Sequence, residues 1–268
     1  MNYRLIVFDL DGTLYRGDRV IPDAPEFVQM IKEYGCSCIF LTNNSSKTPA
    51  QVTVKLNKMG IPATAAEVYT SSMATAAFIE EQTQKQKCAP TVYAIGEEGL
   101  LQALTDIHAE LTSEHPQFVV IGIDRQFNYD KLRIASQYVQ DGALLIGTNA
   151  DRALPSEDRL LPGAGSLMQS VSAATGRQPI WIGKPSLTIV EYALKAWRMH
   201  RPTLTIEKSE ILMIGDNIET DIAAAHAYGV DSALVLSGFS NVSDLSSCKQ
   251  KPKFVAKTLM ELQRQLFS

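Results

Sequence analysis

The sequence predicts an α/β protein with a parallel-sheet core and a second α/β unit inserted into it. Three observations predict this. Short apolar runs without alternation, such as Leu5-Ile6-Val7-Phe8 and Ile211-Leu212-Met213-Ile214, suit strands buried on both faces of a parallel sheet. Segments of helical period stand between such runs, so neighbouring strands should lie parallel. A polar tract from Glu80 to Lys87 breaks the rhythm, and a fresh alternation starts at Val92. The expected division is a core of residues 1–82 plus 180–268 and an insertion of residues 83–179.

Composition narrows the function classes. The chain has 268 residues, 45% hydrophobic and 20% charged, as in an ordinary globular protein of one or two domains. A net charge of −4 argues against general affinity for nucleic acid or an anionic membrane. No apolar run reaches the roughly 18 residues needed to span a bilayer, and the first residues lack a signal-peptide pattern. Cys36 and Cys38 look like half a metal site, but no second cluster with zinc spacing follows, so they are read as packing residues. Cys88, Cys248, His108, His115, His200 and His226 are isolated. A reducing cytoplasm is the expected location.

In chain order, Leu5 to Phe8 is a buried strand that stops at Asp9-Leu10-Asp11-Gly12. Ile21 to Glu26 opens a helix, with Asp23 as the cap, Pro25 in the first turn and Glu26 three residues on. Phe27, Ile31 and Tyr34 recur on one face, and Gly35 closes it. Cys38 to Leu41 is the next strand, followed by Thr42, Asn43, Asn44, Ser45 and Ser46. A helix from Thr48-Pro49 carries Val52, Leu56 and Met59 and stops at Gly60. Val68 to Thr70 is a short strand, and Ser71 or Ser72 begins a helix with Ala76, Phe78 and Ile79. Within the insertion, strands are expected at 92–95, 118–123 and 143–147, and helices at 97–108, 129–140 and from about 166. The outer pattern then returns with Ile180 to Ile182, which leads into Gly183-Lys184-Pro185. A helix with Ile189, Val190, Ala193, Leu194 and Trp197 follows, then the strand 211–214 ending at Gly215-Asp216-Asn217. A helix with Asp221 in its first turn ends at Gly229, and Ala233 to Leu236 is the last clear strand.

Four places at strand ends now hold polar groups: Asp9 with Asp11, Thr42 with Asn43, Lys184, and Asp216 with Asp221. In a parallel sheet such loops open a crevice beyond the carboxyl ends of the strands. Two carboxylates converging there repel unless a cation joins them or one keeps a proton. The set supplies carboxylates, a hydroxyl, backbone donors and one cation, which suits a phosphate held against a hard metal ion.

At these residues the sequence resembles the haloacid dehalogenase superfamily of phosphohydrolases. Asp9-Leu10-Asp11-Gly12-Thr13 is similar to its first motif and Leu41-Thr42-Asn43 to its second. Gly183-Lys184-Pro185 is similar to its third, and Gly215-Asp216-Asn217 through Thr220-Asp221 to its fourth. The insertion resembles the large αβ cap of one branch. Thr42-Asn43-Asn44-Ser45, Gly122-Ile123-Asp124-Arg125, Thr148-Asn149-Ala150-Asp151 and Pro162-Gly163-Ala164-Gly165-Ser166 resemble the branch of NagD-type and 4-nitrophenyl phosphatases. The resemblance covers nearly the whole chain and shows no departure at a catalytic position.

It implies a Rossmann-like core with an α/β cap, and a Mg²⁺-dependent phosphatase of small phosphomonoesters. Asp9 is the implied nucleophile and Asp11 the general acid and base, protonated through crowding by Asp9, Asp216 and the phosphate. Asp9, the Asp11 backbone carbonyl and Asp216 are the implied metal ligands, with Asp221 orienting water or Lys184. Thr42, Asn43, Lys184 and Gly12 are implied at the phosphate, and Asn149 and Asp151 as further substrate contacts. Asp124 and Arg125 serve either domain or substrate contacts, and Gly163 with Gly165 are read first as a turn. The expected partner is a small phosphorylated metabolite, with a homodimer as one option for the assembly. Two alternatives remain: a phosphomutase on the same fold and a catalytically weak metabolite-binding regulator.

Overall fold

The computed structural model describes residues 2–84, 88–155 and 160–267. They form two compact units. One comprises Met1–Thr42, Ala50–Tyr69 and Lys184–Ser268, and the other Asn43–Pro49 and Thr70–Gly183. The chain passes between them at four peptide bonds: 42–43, 49–50, 69–70 and 183–184.

The first unit is built on a six-stranded sheet in the order 254–256, 231–235, 211–215, 5–8, 37–42, 68–70. Leu5–Phe8 is central and pairs in parallel with Ile211–Gly215 on one side and Ser37–Thr42 on the other. Leu5, Ile6 and Phe8 are fully buried, as an unbroken apolar strand covered on both faces requires. Phe8 stacks on Phe40 at 5.8 Å and meets Phe27 edge-on at 6.1 Å. Such aromatic contacts contribute beyond their buried area. The helix Ala24–Glu33 buries Phe27, Val28 and Ile31 against this core. Its start differs from the sequence expectation: Asp23 holds the cap position at φ 68° and makes no side-chain capping bond. A left-handed backbone is not the extended geometry from which a cap side chain reaches the first-turn N–H groups.

The second unit has a five-stranded parallel sheet in the order 180–181, 144–147, 118–121, 91–95, 110–111. The helices Glu98–Asp106, Tyr129–Gln140 and Ala164–Thr175 follow its strands, and Val119, Ile121, Val139, Leu145, Met168 and Val171 make its core. An antiparallel hairpin, Ala153–Pro155 with Leu160–Pro162, precedes the last of these helices.

The division itself differs from the expected 83–179. The helix Ser71–Thr83 belongs to the second unit, because that unit also contains the segment 43–49 on which the helix is fastened. Ser71 Oγ donates to Asn43 O (2.7 Å) and Ser72 Oγ to Ser45 O (2.9 Å). The Gly99 N–H donates to Ser46 O, and the Ile123 N–H to Ser45 Oγ, both at 3.0 Å. The strand Ile180–Trp181 likewise pairs with 144–147, not with the sheet that holds Leu5–Phe8. Of the polar tract expected to mark the junction, residues 85–87 lie outside the described residues.

Candidate active site

The register of the first sheet sets Phe8 beside both Phe40 and Ile214, so the ends of three adjacent strands come together. The Asp9 N–H continues the ladder to Ile214 O at 2.8 Å. Asp9, Thr42 and Asp216 therefore sit at one edge of one sheet, at the carboxyl ends where open α/β sheets place their sites. All three are buried, at 8%, 5% and 4% exposure. Lys184, at 2%, reaches them through the turn that begins with the cis Lys184–Pro185 bond.

Lys184 Nζ lies 2.5 Å from Asp9 Oδ1 and 2.8 Å from Asp221 Oδ1, and donates to Leu41 O at 3.3 Å. Burial alone would lower the lysine pKa, but Asp221 and Asp9 outweigh it and hold it raised. Thr13 Oγ1 donates toward Asp9 Oδ2 (3.1 Å) and Asp216 Oδ1 (3.3 Å), so one hydroxyl spans two carboxylates. Asp221 Oδ2 accepts from the Asn217 N–H at 3.1 Å. With both oxygens engaged, Asp221 is placed to act through Lys184.

Ligand oxygens of Asp9, Asp216 and Asp221 lie within 4.8 Å of one another. Three carboxylates around one ammonium leave a formal excess of negative charge in a buried place. Burial, then the nearby Asp9 and Asp221, push Asp216 up to about 8. Burial and then Asp9 also raise Asp221, with Lys184 pulling the other way. Raised carboxylates of this kind are what a divalent cation relieves, so the donor set fits a hard metal ion bound through oxygen. Gly12 leaves room for the group. At φ 96° its backbone passes so close that a Cβ would lie 2.3 Å from Asp216 Oδ2.

Asp11 is exposed, yet partial burial of its carboxyl raises its pKa, against the pull of Lys55, the Gly17 N–H and Arg16. The expected crowding is by Asp9, Asp216 and the phosphate; without the phosphate, burial comes first among the causes. Asp9 is engaged by Lys184 and Thr13, and the acid whose charge bears on Asp11 is Asp18.

Asn43, Asn149 and Asp151 belong to the second unit, where they bond to one another. Asn149 Nδ2 donates to Asn43 O (2.8 Å), and Asn43 Nδ2 to both Asp151 oxygens (3.2 and 3.3 Å). The Asp151 N–H returns to Asn149 Oδ1 at 3.1 Å. The sequence reading does not anticipate this group, which holds the residue next to Thr42 in the chain. Asp124 pairs with Lys131 and Arg125 with Glu97, each at 2.6 Å and all within the same unit. Gly163 and Gly165 have a packing reason: a Cβ would lie 2.2 Å from Asp151 O and 2.4 Å from Ala150 O respectively. Thr13 and the loop after Val235 were not assigned from sequence. A hydroxyl two residues beyond Asp11 was the available signal for the first, and a Ser-Gly pair at a strand end for the second.

Known proteins bear on this geometry. The haloacid dehalogenase-like hydrolase model matches residues 6–110, and a second model of that superfamily matches 181–262. The chain is 42% identical over 259 residues to the 5'-nucleotidase YutF of Bacillus subtilis, covering 97% of each. It is 40% identical to an acid sugar phosphatase of Staphylococcus epidermidis, covering 96% of each. Its structure superposes on NagD from E. coli with a TM-score of 0.87 at 30% identity, covering 97% of this chain and 98% of that one. With the buried Asp–Lys–Asp cluster at the sheet edge, these matches make the chain a member of the haloacid dehalogenase-like hydrolases, a phosphatase of the NagD-like branch.

Proposed function

We propose that the protein is a Mg²⁺-dependent phosphatase of small phosphomonoesters, working in a reducing cytoplasm through an aspartyl phosphate on Asp9. The observation that carries this is the ion-paired Asp9, fixed on one oxygen by Lys184 and on the other by Thr13. Sugar phosphates and nucleoside monophosphates are the leading substrates, in keeping with what the two relatives are named for. 4-Nitrophenyl phosphate is the expected chromogenic substrate.

Asp9 attacks phosphorus while Asp11 gives its proton to the leaving oxygen, so the P–O bond breaks as the acyl phosphate forms. Asp11, now ionised, takes a proton from water, which attacks the phosphoenzyme and releases inorganic phosphate with Asp9 restored. Lys184 offsets negative charge on the nucleophile and on the incoming phosphate. Thr42, with the backbone N–H of Asn43, holds phosphoryl oxygens. Asp9, Asp216 and the Asp11 carbonyl would hold the cation, which when bound would supply Lewis-acid stabilisation of the phosphoryl charge. Asn149 and Asp151 are the further substrate contacts of this reading.

The test is phosphate release from a panel of sugar phosphates, nucleoside monophosphates and 4-nitrophenyl phosphate. Chelation should abolish turnover, Mg²⁺ should restore it, and excess Ca²⁺ should inhibit, since its larger and more flexible shell disturbs the attacking carboxylate. Full turnover after exhaustive chelation would overturn the metal dependence. Isomer formation without phosphate release would identify a mutase.

A further inference from the structure

We infer that the loop Ser237–Ser240 is a clamp that positions Asp216 and the Gly12 backbone for the cation. Ser237 and the Phe239 N–H are its positioning groups. The inference rests on the reading that Asp216 and the Asp11 carbonyl hold that cation.

The loop follows the strand Asp231–Val235, whose ladder still reaches Leu236 through its N–H to Ala256 O (2.9 Å). Each residue after that bonds to one of the two catalytic loops or to the segment next to one. Ser237 Oγ donates to Gly12 O at 2.8 Å. Gly238 O accepts from Arg16 Nη2 at 3.2 Å. The Phe239 N–H donates to Asp216 Oδ2 at 2.6 Å, a charge-assisted bond. The Ser240 N–H donates to Asp216 O, and Ser240 Oγ accepts from the Ile218 N–H, both at 3.0 Å.

Two consequences follow for the metal ligands. Asp216 Oδ2 is enclosed: a Cβ on Gly238 would lie 1.8 Å from it, and one on Gly12 2.3 Å. That oxygen is held by the Phe239 amide, while Oδ1 has the longer 3.3 Å contact from Thr13, whose hydroxyl also meets Asp9 Oδ2. Gly12 is pinned on both sides, its N–H on Tyr15 O (2.7 Å) and its C=O by Ser237. In a trans peptide the Asp11 C=O runs opposite to the Gly12 N–H, so the bond to Tyr15 O sets the direction of that carbonyl, and Ser237, by holding the next peptide through Gly12 O, fixes the Gly12 backbone between the two. The Phe239 ring is 71% exposed, so its share in the clamp is the backbone N–H alone.

The test is calorimetric titration of Mg²⁺ into the metal-stripped full chain, for the parent and four variants whose folding is checked by circular dichroism. Phe239→Pro deletes the donor and should weaken Mg²⁺ about tenfold or more, the scale of a hydrogen bond to a charged group. Phe239→Ala keeps the N–H and should bind within about twofold of the parent, since no hydrogen bond is lost. Ser237→Ala should weaken binding about two- to tenfold, and Ser237→Thr should recover it by keeping the hydroxyl. Parent-like affinity in both Phe239→Pro and Ser237→Ala overturns the clamp, as does equal weakening by Phe239→Ala and Phe239→Pro. If Phe239→Pro does not fold, the Ser237 pair decides, and parent-like affinity in Ser237→Ala overturns the clamp. A parent that binds no Mg²⁺ at all overturns the reading of the site itself, which the variants alone would not do.

Discussion

In the unit that carries Asp9, Lys184 is 2% exposed and its carboxylate partners are buried beside it. In the inserted unit the pair Arg125–Glu97 keeps 62% and 26% of its side-chain surface, while of the pair Lys131–Asp124 the ammonium side keeps 34% and only the carboxylate, at 4%, is buried. Desolvating charge costs several kcal/mol per ion, and mutual attraction repays that only with good geometry. Exposed pairs involve no such cost and contribute little. The contrast teaches that burial of charge in the first unit is not explained by stability. On the proposed mechanism it fixes carboxylates and ammonium in advance of the reaction, where low dielectric makes each worth more.

Substitutions at the buried cluster should have the largest effects. Asp9→Asn should abolish turnover, by about 10⁵-fold or more, as loss of a nucleophile does in comparable enzymes. Rapid mixing with 4-nitrophenyl phosphate should show no burst. Asp11→Asn should slow phosphoenzyme formation from a sugar phosphate by about 10²- to 10⁴-fold. Nitrophenolate leaves without a proton, so that variant should give a nitrophenol burst and then slow turnover. Equal slowing for both esters, at unchanged metal affinity, would remove Asp11 as the leaving-group acid.

Stability sharpens the contrast next. Lys184→Met strands Asp9 and Asp221 without their cation and should destabilise the metal-free protein by about 3–5 kcal/mol in denaturant titration. A loss as small as that of a surface pair would contradict the comparison.

The pH dependence follows from Asp216. Its folded pKa, about 8, lies above the ordinary carboxylate value of 3.8, so the folded state binds the extra proton between these values. Stability of the metal-free protein should therefore be fullest below about pH 4 for this group and fall as pH rises toward 8. Mg²⁺ should reverse that fall, because binding displaces the proton. Melting curves with and without metal at pH 5 and 8 check both signs, and a metal-free melting temperature that rises over this range would refute the assignment. The smallest effect belongs to the inserted unit, where Arg125→Ala should cost under about 1 kcal/mol and less in high salt.

Much of this was legible in the residues. Leu5–Phe8 and Ile211–Gly215 are apolar throughout and end in carboxylates, so both strands and their chemistry could be read locally. Ile180–Trp181 reads from sequence as the return of the outer core and instead pairs with 144–147, since two residues carry no period and pairing is decided by the partner. Phe254–Ala256 is three residues after a lysine-rich stretch and gave no signal, although it forms the sheet's edge. The helix Ser71–Thr83 was seen, but not its allegiance. Its buried face includes Ser71, Ser72 and Thr75, whose hydroxyls bond to backbone, and a polar face is normally read as solvated. The clamp was invisible for a related reason, because two of its four residues act through main-chain N–H groups.

The crossings at 42–43 and 183–184 set where this chain can be recombined with a relative. Both fall within the catalytic motifs, between Thr42 and Asn43 and between Gly183 and Lys184. A chimera spliced near residue 83 would part the helix Ser71–Thr83 from the rest of its unit, and a second cut at 179 would leave strand 180–181 facing a foreign sheet. The inherited block is instead two segments, 43–49 and 70–183, that must travel together. An exchange of this unit is therefore never a single cassette, and two of its four ends lie beside Thr42 and Lys184.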